Sequence, residues 1–216
     1  QNCCHLFCTD TQKNCHQFWP ISEALYVNKD RTNMSSKLLY SDNIFISYSQ
    51  FYIECEDPDD SLYPSEPVYK QINGLCGAAQ SGRLFFTAAP KDALINLDIE
   101  LLTAEPAIDQ QFDEIVEVSF KRQSEDVFLC EWAHEEEHLL EIPEGEYRVR
   151  YSIKGFDLDY DYENMEEPED DELPPPLPGQ KYLIQLWPCS HKNDQIVKQT
   201  SEYAAYWHNV AKEKNV

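Results

Sequence analysis

Ala93-Leu94-Ile95-Asn96-Leu97-Asp98-Ile99-Glu100-Leu101-Leu102 decides the fold class. Ile95, Leu97, Ile99 and Leu101 alternate with Asn96, Asp98 and Glu100. Successive strand side chains point to opposite faces, so this order gives one buried face and one wet face. Glu114–Phe120 repeats it through Val116, Val118 and Phe120, and Tyr182, Ile184 and Leu186 repeat it again. In Tyr147–Lys154, Tyr147, Val149, Tyr151 and Ile153 share one face. Arg148, Arg150 and Lys154 take the other, where carboxylates across the sheet would pair with them. Leu84–Ala88 and Val127–Trp132 read as further strands, and Gln195–Gln199 as an edge strand. Leu139–Ile142 runs into a tight turn at Pro143-Glu144-Gly145. Asn43–Cys55, rich in Ile, Phe and Tyr, reads as one strand crossing a whole sheet. Ser201 is placed to cap a helix whose apolar positions are Tyr203, Tyr206, Trp207 and Val210. The expected fold is mainly β, an antiparallel β-sandwich with one short C-terminal α-helix.

The 216 residues suit one domain with appendages. Residues 1–42 read as an N-terminal extension outside the core, with Met34 a start-like residue within it. Residues 43–216 form the sandwich domain, with an acidic arm over 156–180 and the helix over about 202–212. Forty acidic residues against 17 basic ones give a formal charge of −23. Such a surface repels nucleic acid and anionic lipid and attracts basic clefts. A cationic protein is therefore the expected partner, with no direct nucleic-acid contact. No apolar run approaches the length of a bilayer span, and no signal peptide is legible. The expected location is the cytoplasm, with any membrane association coming through a partner. Cys55, Cys76, Cys130 and Cys189 are scattered singly and read as buried free thiols.

Phe156–Gln180 is the outlier in composition. Phe156-Asp157-Leu158-Asp159-Tyr160-Asp161-Tyr162 alternates apolar and acidic residues and would extend the preceding strand. Glu163, Glu166, Glu167 and the acids up to Glu172 follow, then the proline run Pro174-Pro175-Pro176. Prolines and charge together exclude a buried ladder there. The candidate partner-binding residues are Asp157, Asp159, Tyr160, Asp161, Tyr162, Glu163, Glu166 and Glu167: carboxylates for steering, tyrosines for anchoring.

Two metal patterns are weighed. His134-Glu135-Glu136-Glu137-His138 matches H-E-x-x-H, which on a helix would bind zinc with Glu135 as base. A strand enters it and Pro143 follows closely, so a charged turn between strands is expected instead. Asp157, Asp159 and Asp161 begin like a calcium loop, but Tyr162 replaces its glycine and Pro168 its bidentate glutamate. The adjacent pair Cys3-Cys4 fits no common zinc spacing. No metal, cofactor or catalytic residue is expected. A zinc-dependent hydrolase using His134, Glu135 and His138, and an acidic immunity or scaffold module, stand as alternatives.

Ile46-Ser47-Tyr48-Ser49-Gln50-Phe51, the glycine-punctuated Gly74–Phe86, and Leu140-Glu141-Ile142-Pro143-Glu144-Gly145-Glu146-Tyr147 resemble, in order and spacing, the competence protein J family. The likeness covers roughly residues 43–155; residues 1–42, the arm and the tail Tyr182–His208 depart from it. It implies a non-enzymatic protein that inhibits a metal-dependent DNA-entry nuclease, with no catalytic residues to carry over. Together with the charge, it points to a DNA mimic that occupies the nuclease's basic, metal-containing cleft.

Overall fold

The computed structural model describes residues 35–56, 67–124, 126–158 and 174–213. The strands are β1 (Ser36–Ile46), β2 (Gln50–Cys55), β3 (Cys76–Gly77), β4 (Arg83–Thr87), β5 (Ala93–Leu102), β6 (Glu114–Lys121), β7 (Val127–Cys130), β8 (Glu137–Leu139), β9 (Glu146–Lys154), β10 (Lys181–Pro188) and β11 (Gln195–Lys198). The helix α1 (Glu202–Glu213) closes the chain. One sheet runs β1-β5-β10-β9-β6-β11 and the other β3-β4-β2-β7-β8. The fold is mainly β, as the alternation requires. All pairings between these strands are antiparallel except β5 with β10, which is parallel.

The opening alternation lands as β5 in the interior of the larger sheet, with Ile95, Leu97 and Ile99 wholly buried. Between the sheets, Phe51 stacks on Phe86 at 4.8 Å, and Tyr151 meets Phe86 edge-on at 5.0 Å. Each fully buried side chain of this size contributes about 1.5–3 kcal/mol. Tyr151 donates its hydroxyl to the Thr87 carbonyl at 3.1 Å, so its polar end is satisfied inside the core.

Asn43–Cys55 is not one strand. It divides into the end of β1 and all of β2, and these belong to different sheets. Tyr48 (φ 53°) and Ser49 (φ 61°) turn the chain through left-handed backbone, and Ala88 donates its N–H to Ser49 at 2.9 Å. The apolar run is the same on either side of the corner because both halves face one core. β1 begins at Ser36, and its wholly buried positions begin at Ile44.

Two further readings shift. β9 stops at Lys154, and Gly155 (φ +71°) turns the chain, so the Asp/Tyr alternation does not continue the strand through 156–158. In α1 the buried line is Ala204, His208 and Ala211, while Tyr206 is exposed. Small residues win that face because the loop comes very close: a Cβ at Gly74 would lie 2.1 Å from the Trp207 carbonyl oxygen. His208 Nδ1 accepts the Gly74 N–H at 3.0 Å. Ser201 caps as expected, its Oγ accepting the Ala204 N–H at 3.0 Å. Cys55, Cys76 and Cys130 are buried free thiols, while Cys189 is half-buried.

Candidate functional site

The acidic arm joins two neighbouring antiparallel strands, β9 and β10. Phe156 is buried against Tyr203 of α1, with ring centroids 5.2 Å apart. Asp157 already has partners within the chain: its carboxylate accepts the Glu202 and Tyr203 N–H groups, both at 3.2 Å. A negative charge at a helix N-terminus is favourable because those N–H groups lack intrahelical acceptors. Glu114 does the same from beneath, accepting the Ser201 N–H at 2.6 Å and the Thr200 N–H at 2.8 Å. The far root is also held. Leu94 of β5 donates its N–H to the Pro174 carbonyl at 3.0 Å, and the Gln180 side chain donates to the Gly155 carbonyl at 3.2 Å. Asp159, Tyr160, Asp161, Tyr162, Glu163, Glu166 and Glu167 lie outside the described residues.

The H-E-x-x-H letters lie on a turn. Trp132–His134 is a single 3₁₀ turn, with Ala133 (φ 56°) and His134 (φ 58°) in left-handed backbone, and β8 follows at once. The two histidines therefore do not share a helical face. His134 Nδ1 contacts Glu137 at 2.8 Å and its Nε2 lies 3.7 Å from Glu54. His138 instead meets the Tyr40 ring at a tilt, centroids 5.0 Å apart, and lies 3.9 Å from Glu136. The zinc-peptidase geometry, two histidines on one helical face, is not formed.

This acidic turn closes one side of the sandwich against the free edge of β1. Lys37 pairs with Glu141, Tyr40 meets His138, and Phe45 donates its N–H to Glu131 at 2.8 Å. Burial, followed by Glu136 and Glu135, raises the Glu131 carboxyl pKa, partly offset by the Phe45 N–H.

The sequence reading missed a cleft of about 520 Å³ on the outer face of the smaller sheet. Tyr52 and Phe85 form its floor, edge to face at 5.5 Å. Glu54 and Arg83 meet there, with Arg83 Nε 2.7 Å from the carboxylate. Trp132 and His134 form a wall, and Tyr48 stacks beside Trp132 at 5.0 Å. Aromatic walls with a few fixed polar groups suit a bound side chain or small molecule. Burial and the nearby Glu54 push the Tyr52 hydroxyl up to about 12, so it stays protonated and able to donate a hydrogen bond at neutral pH. The available signal was slight: Glu54 and Arg83 break apolar strands at outward positions, as surface charges do everywhere.

On the opposite outer face, Arg148 and Arg150 do pair across the sheet as their alternation requires. Glu117 takes Arg148 Nε at 3.0 Å and Arg150 Nε at 2.8 Å. The backbone carbonyls of Pro106 and Asn193 accept one further bond each, both at 2.9 Å, from Arg150 and Arg148 respectively. Trp187 covers Arg150 at 5.1 Å.

These features define a two-sheet β protein with an acidic insertion and a preformed aromatic cleft. No protein-family model matches the chain, and no curated protein sequence does. Among solved structures it is similar to ComJ, inhibitor of the DNA degrading activity of NucA, from Bacillus subtilis. That similarity has 16% identity and a TM-score of 0.46, over 72% of this chain and 99% of that one. It is also similar to the product of crocagin biosynthetic gene J, at 17% identity and a TM-score of 0.43 over 71% and 98%. Among the described residues no helix is long and apolar enough to cross a membrane.

Proposed function

We propose that this protein acts without catalysis, binding and blocking a basic, metal-dependent DNA nuclease with its acidic arm. The observation that carries the reading is the mount of that arm. A segment rich in carboxylates is inserted between adjacent strands, with one root pinned to α1 through Asp157 and the other to β5 through Pro174. Fixed roots lower the ordering cost of presenting charge to a partner. The charge of −23 supports a cationic partner, and the sequence resemblance supplies the nuclease class. Asp159, Asp161, Glu163, Glu166 and Glu167 would face the phosphate-binding groups, with Tyr160 and Tyr162 as anchors and Asp157 setting the root.

The test is association with a candidate nuclease at two salt concentrations. Asp159→Asn, Asp161→Asn and Glu163→Gln in one chain remove three charges and keep shape. Association slows and its salt dependence flattens, because screening already acts within about 10 Å at moderate salt. A folded triple variant that binds and inhibits like the parent at low salt would remove the arm from the mechanism.

A further inference from the structure

The smaller sheet lines up unusual chemistry on its outer face. Tyr52 of β2 stands opposite Cys130 of β7, so Glu54, two residues along, lies diagonally across from that cysteine on the same face. Cys130 in turn stands opposite Glu137 of β8. Three adjacent strands thus present Glu54, Cys130 and Glu137 in a row. His134, on its left-handed turn, folds over them.

The structure assigns this group as a metal site: we propose that Glu54, Cys130 and His134 bind a zinc-type divalent cation at the cleft wall. One carboxylate oxygen, the Cys130 Sγ and a His134 ring nitrogen all lie within 4.8 Å of one another. Tetrahedral zinc, with bonds of about 2.0–2.3 Å, holds ligand atoms roughly 3.5 Å apart. Glu54 Oε2 and His134 Nε2 are already 3.7 Å apart. His134 is the one exposed member of the three.

The second observation is the setting of the imidazole. Glu137 holds His134 Nδ1 at 2.8 Å, which leaves Nε2 with its lone pair toward Glu54. A carboxylate behind a ligating histidine is how metal sites fix the tautomer and raise ligand basicity. Left-handed backbone at both Ala133 and His134 carries strain that a bound ion would offset. Burial, then Glu54 and Glu137, push the free Cys130 thiol up to about 12, so binding must release its proton. Charge then balances: the thiolate, Glu54 and Glu137 carry three negative charges against Arg83, bound to Glu54 at 2.7 Å, and the dication. The mixed O, S and N donors favour zinc over magnesium or calcium, which prefer oxygen alone. Three protein ligands leave a fourth position open to the cleft. The H-E-x-x-H helix would have recruited both histidines; here the ligands come from two strands and a turn, and His138 takes no part.

The full-length protein, stripped with chelator and kept reduced, is titrated with Co²⁺ and then Zn²⁺. The expected result is one equivalent showing thiolate-to-cobalt charge transfer and tetrahedral visible bands, displaced by Zn²⁺ and untouched by Mg²⁺. The signal disappears in Cys130→Ser and in His134→Ala, and persists in His138→Ala. Glu137→Gln weakens binding about 10-fold or more. His134 is exposed, so its variant reports on the site without disturbing the core, and circular dichroism confirms folding. Absence of thiolate bands in the parent overturns the assignment. So do bands that survive in Cys130→Ser, which would put the metal on other cysteines. Neither outcome depends on whether a nuclease is the partner.

Discussion

Each outer sheet face carries a carboxylate bound to arginine, and the two are treated in opposite ways. On the larger sheet, Glu117 holds Arg148 and Arg150, and the chain folds back over them through Pro106, Ala107, Lys192 and Asn193. On the smaller sheet, Glu54 and Arg83 lie at the floor of a cleft that the described residues leave open. The first pair is buried throughout; in the second Glu54 is buried and Arg83 is partly exposed. The first is sealed by backbone carbonyls, so its hydrogen-bonding capacity is used within the chain. The second keeps space beside aromatic rings, where another molecule can reach it. A buried ion pair is weak evidence of stability, but breaking one leaves an uncompensated charge. The cover, more than the pair itself, separates a structural cluster from a binding one.

The sealed cluster should give the largest effect. Glu117→Ala leaves Arg148 without its carboxylate and Arg150 with only the exposed Glu105 at 3.7 Å, and the expected loss is about 3–5 kcal/mol. Denaturant unfolding measures it. A loss below about 1 kcal/mol would mean the covering carbonyls and Glu105 suffice to hold the arginines, and the contrast between the two faces would collapse.

His208 extends the comparison to another sealed group. Burial first, then Lys212, lowers its pKa to about 4 from 6.5, with Asp194 opposing. Between those values the unfolded chain holds a proton that the folded chain does not. Stability from the neutral imidazole is thus complete above pH 6.5 and is lost as the pH falls toward 4. The loss is on the order of 3 kcal/mol. His208→Gln keeps an acceptor for the Gly74 N–H and should flatten the stability slope in that window. An unchanged slope would assign it to carboxylates.

Arg83→Met breaks the open pair. Glu54 then loses its arginine but faces the cleft, so the expected loss is about 1–3 kcal/mol, smaller than for Glu117→Ala. Equal losses in the two unfolding series would show that the cleft is as dry as the sealed face. The smallest effect is expected of Asp157→Asn at the arm's root. It removes a charge from the α1 N-terminus and should cost about 0.3–1 kcal/mol. Hydrogen exchange in the first turn of α1 would detect it, and unchanged protection there would show that the root does not depend on this carboxylate.

The sequence by itself determined the layers. Alternation in Ala93–Leu102, Glu114–Phe120 and Tyr147–Lys154 called for strands with one face in the core, and Ser201 marked the helix start; that β9 is buried on its arginine face as well was decided by the chain that folds over it. Those signals are local: period and capping chemistry are written in adjacent residues. It also determined the net charge of −23. Only the tertiary structure decided where the strands turned and paired. Nothing in Asn43–Cys55 marks the corner at Tyr48, because both sides of it are apolar for the same core. The parallel pairing of β5 with β10 joins segments far apart in the chain, which periodicity cannot register. The cleft and the Glu54, Cys130, His134 group were illegible for the same reason. Their members are ordinary outward residues of separate strands, and strand register brings them onto one face. The H-E-x-x-H letters show the converse: a local pattern without the helix to align it supplies one histidine to each of two different neighbourhoods.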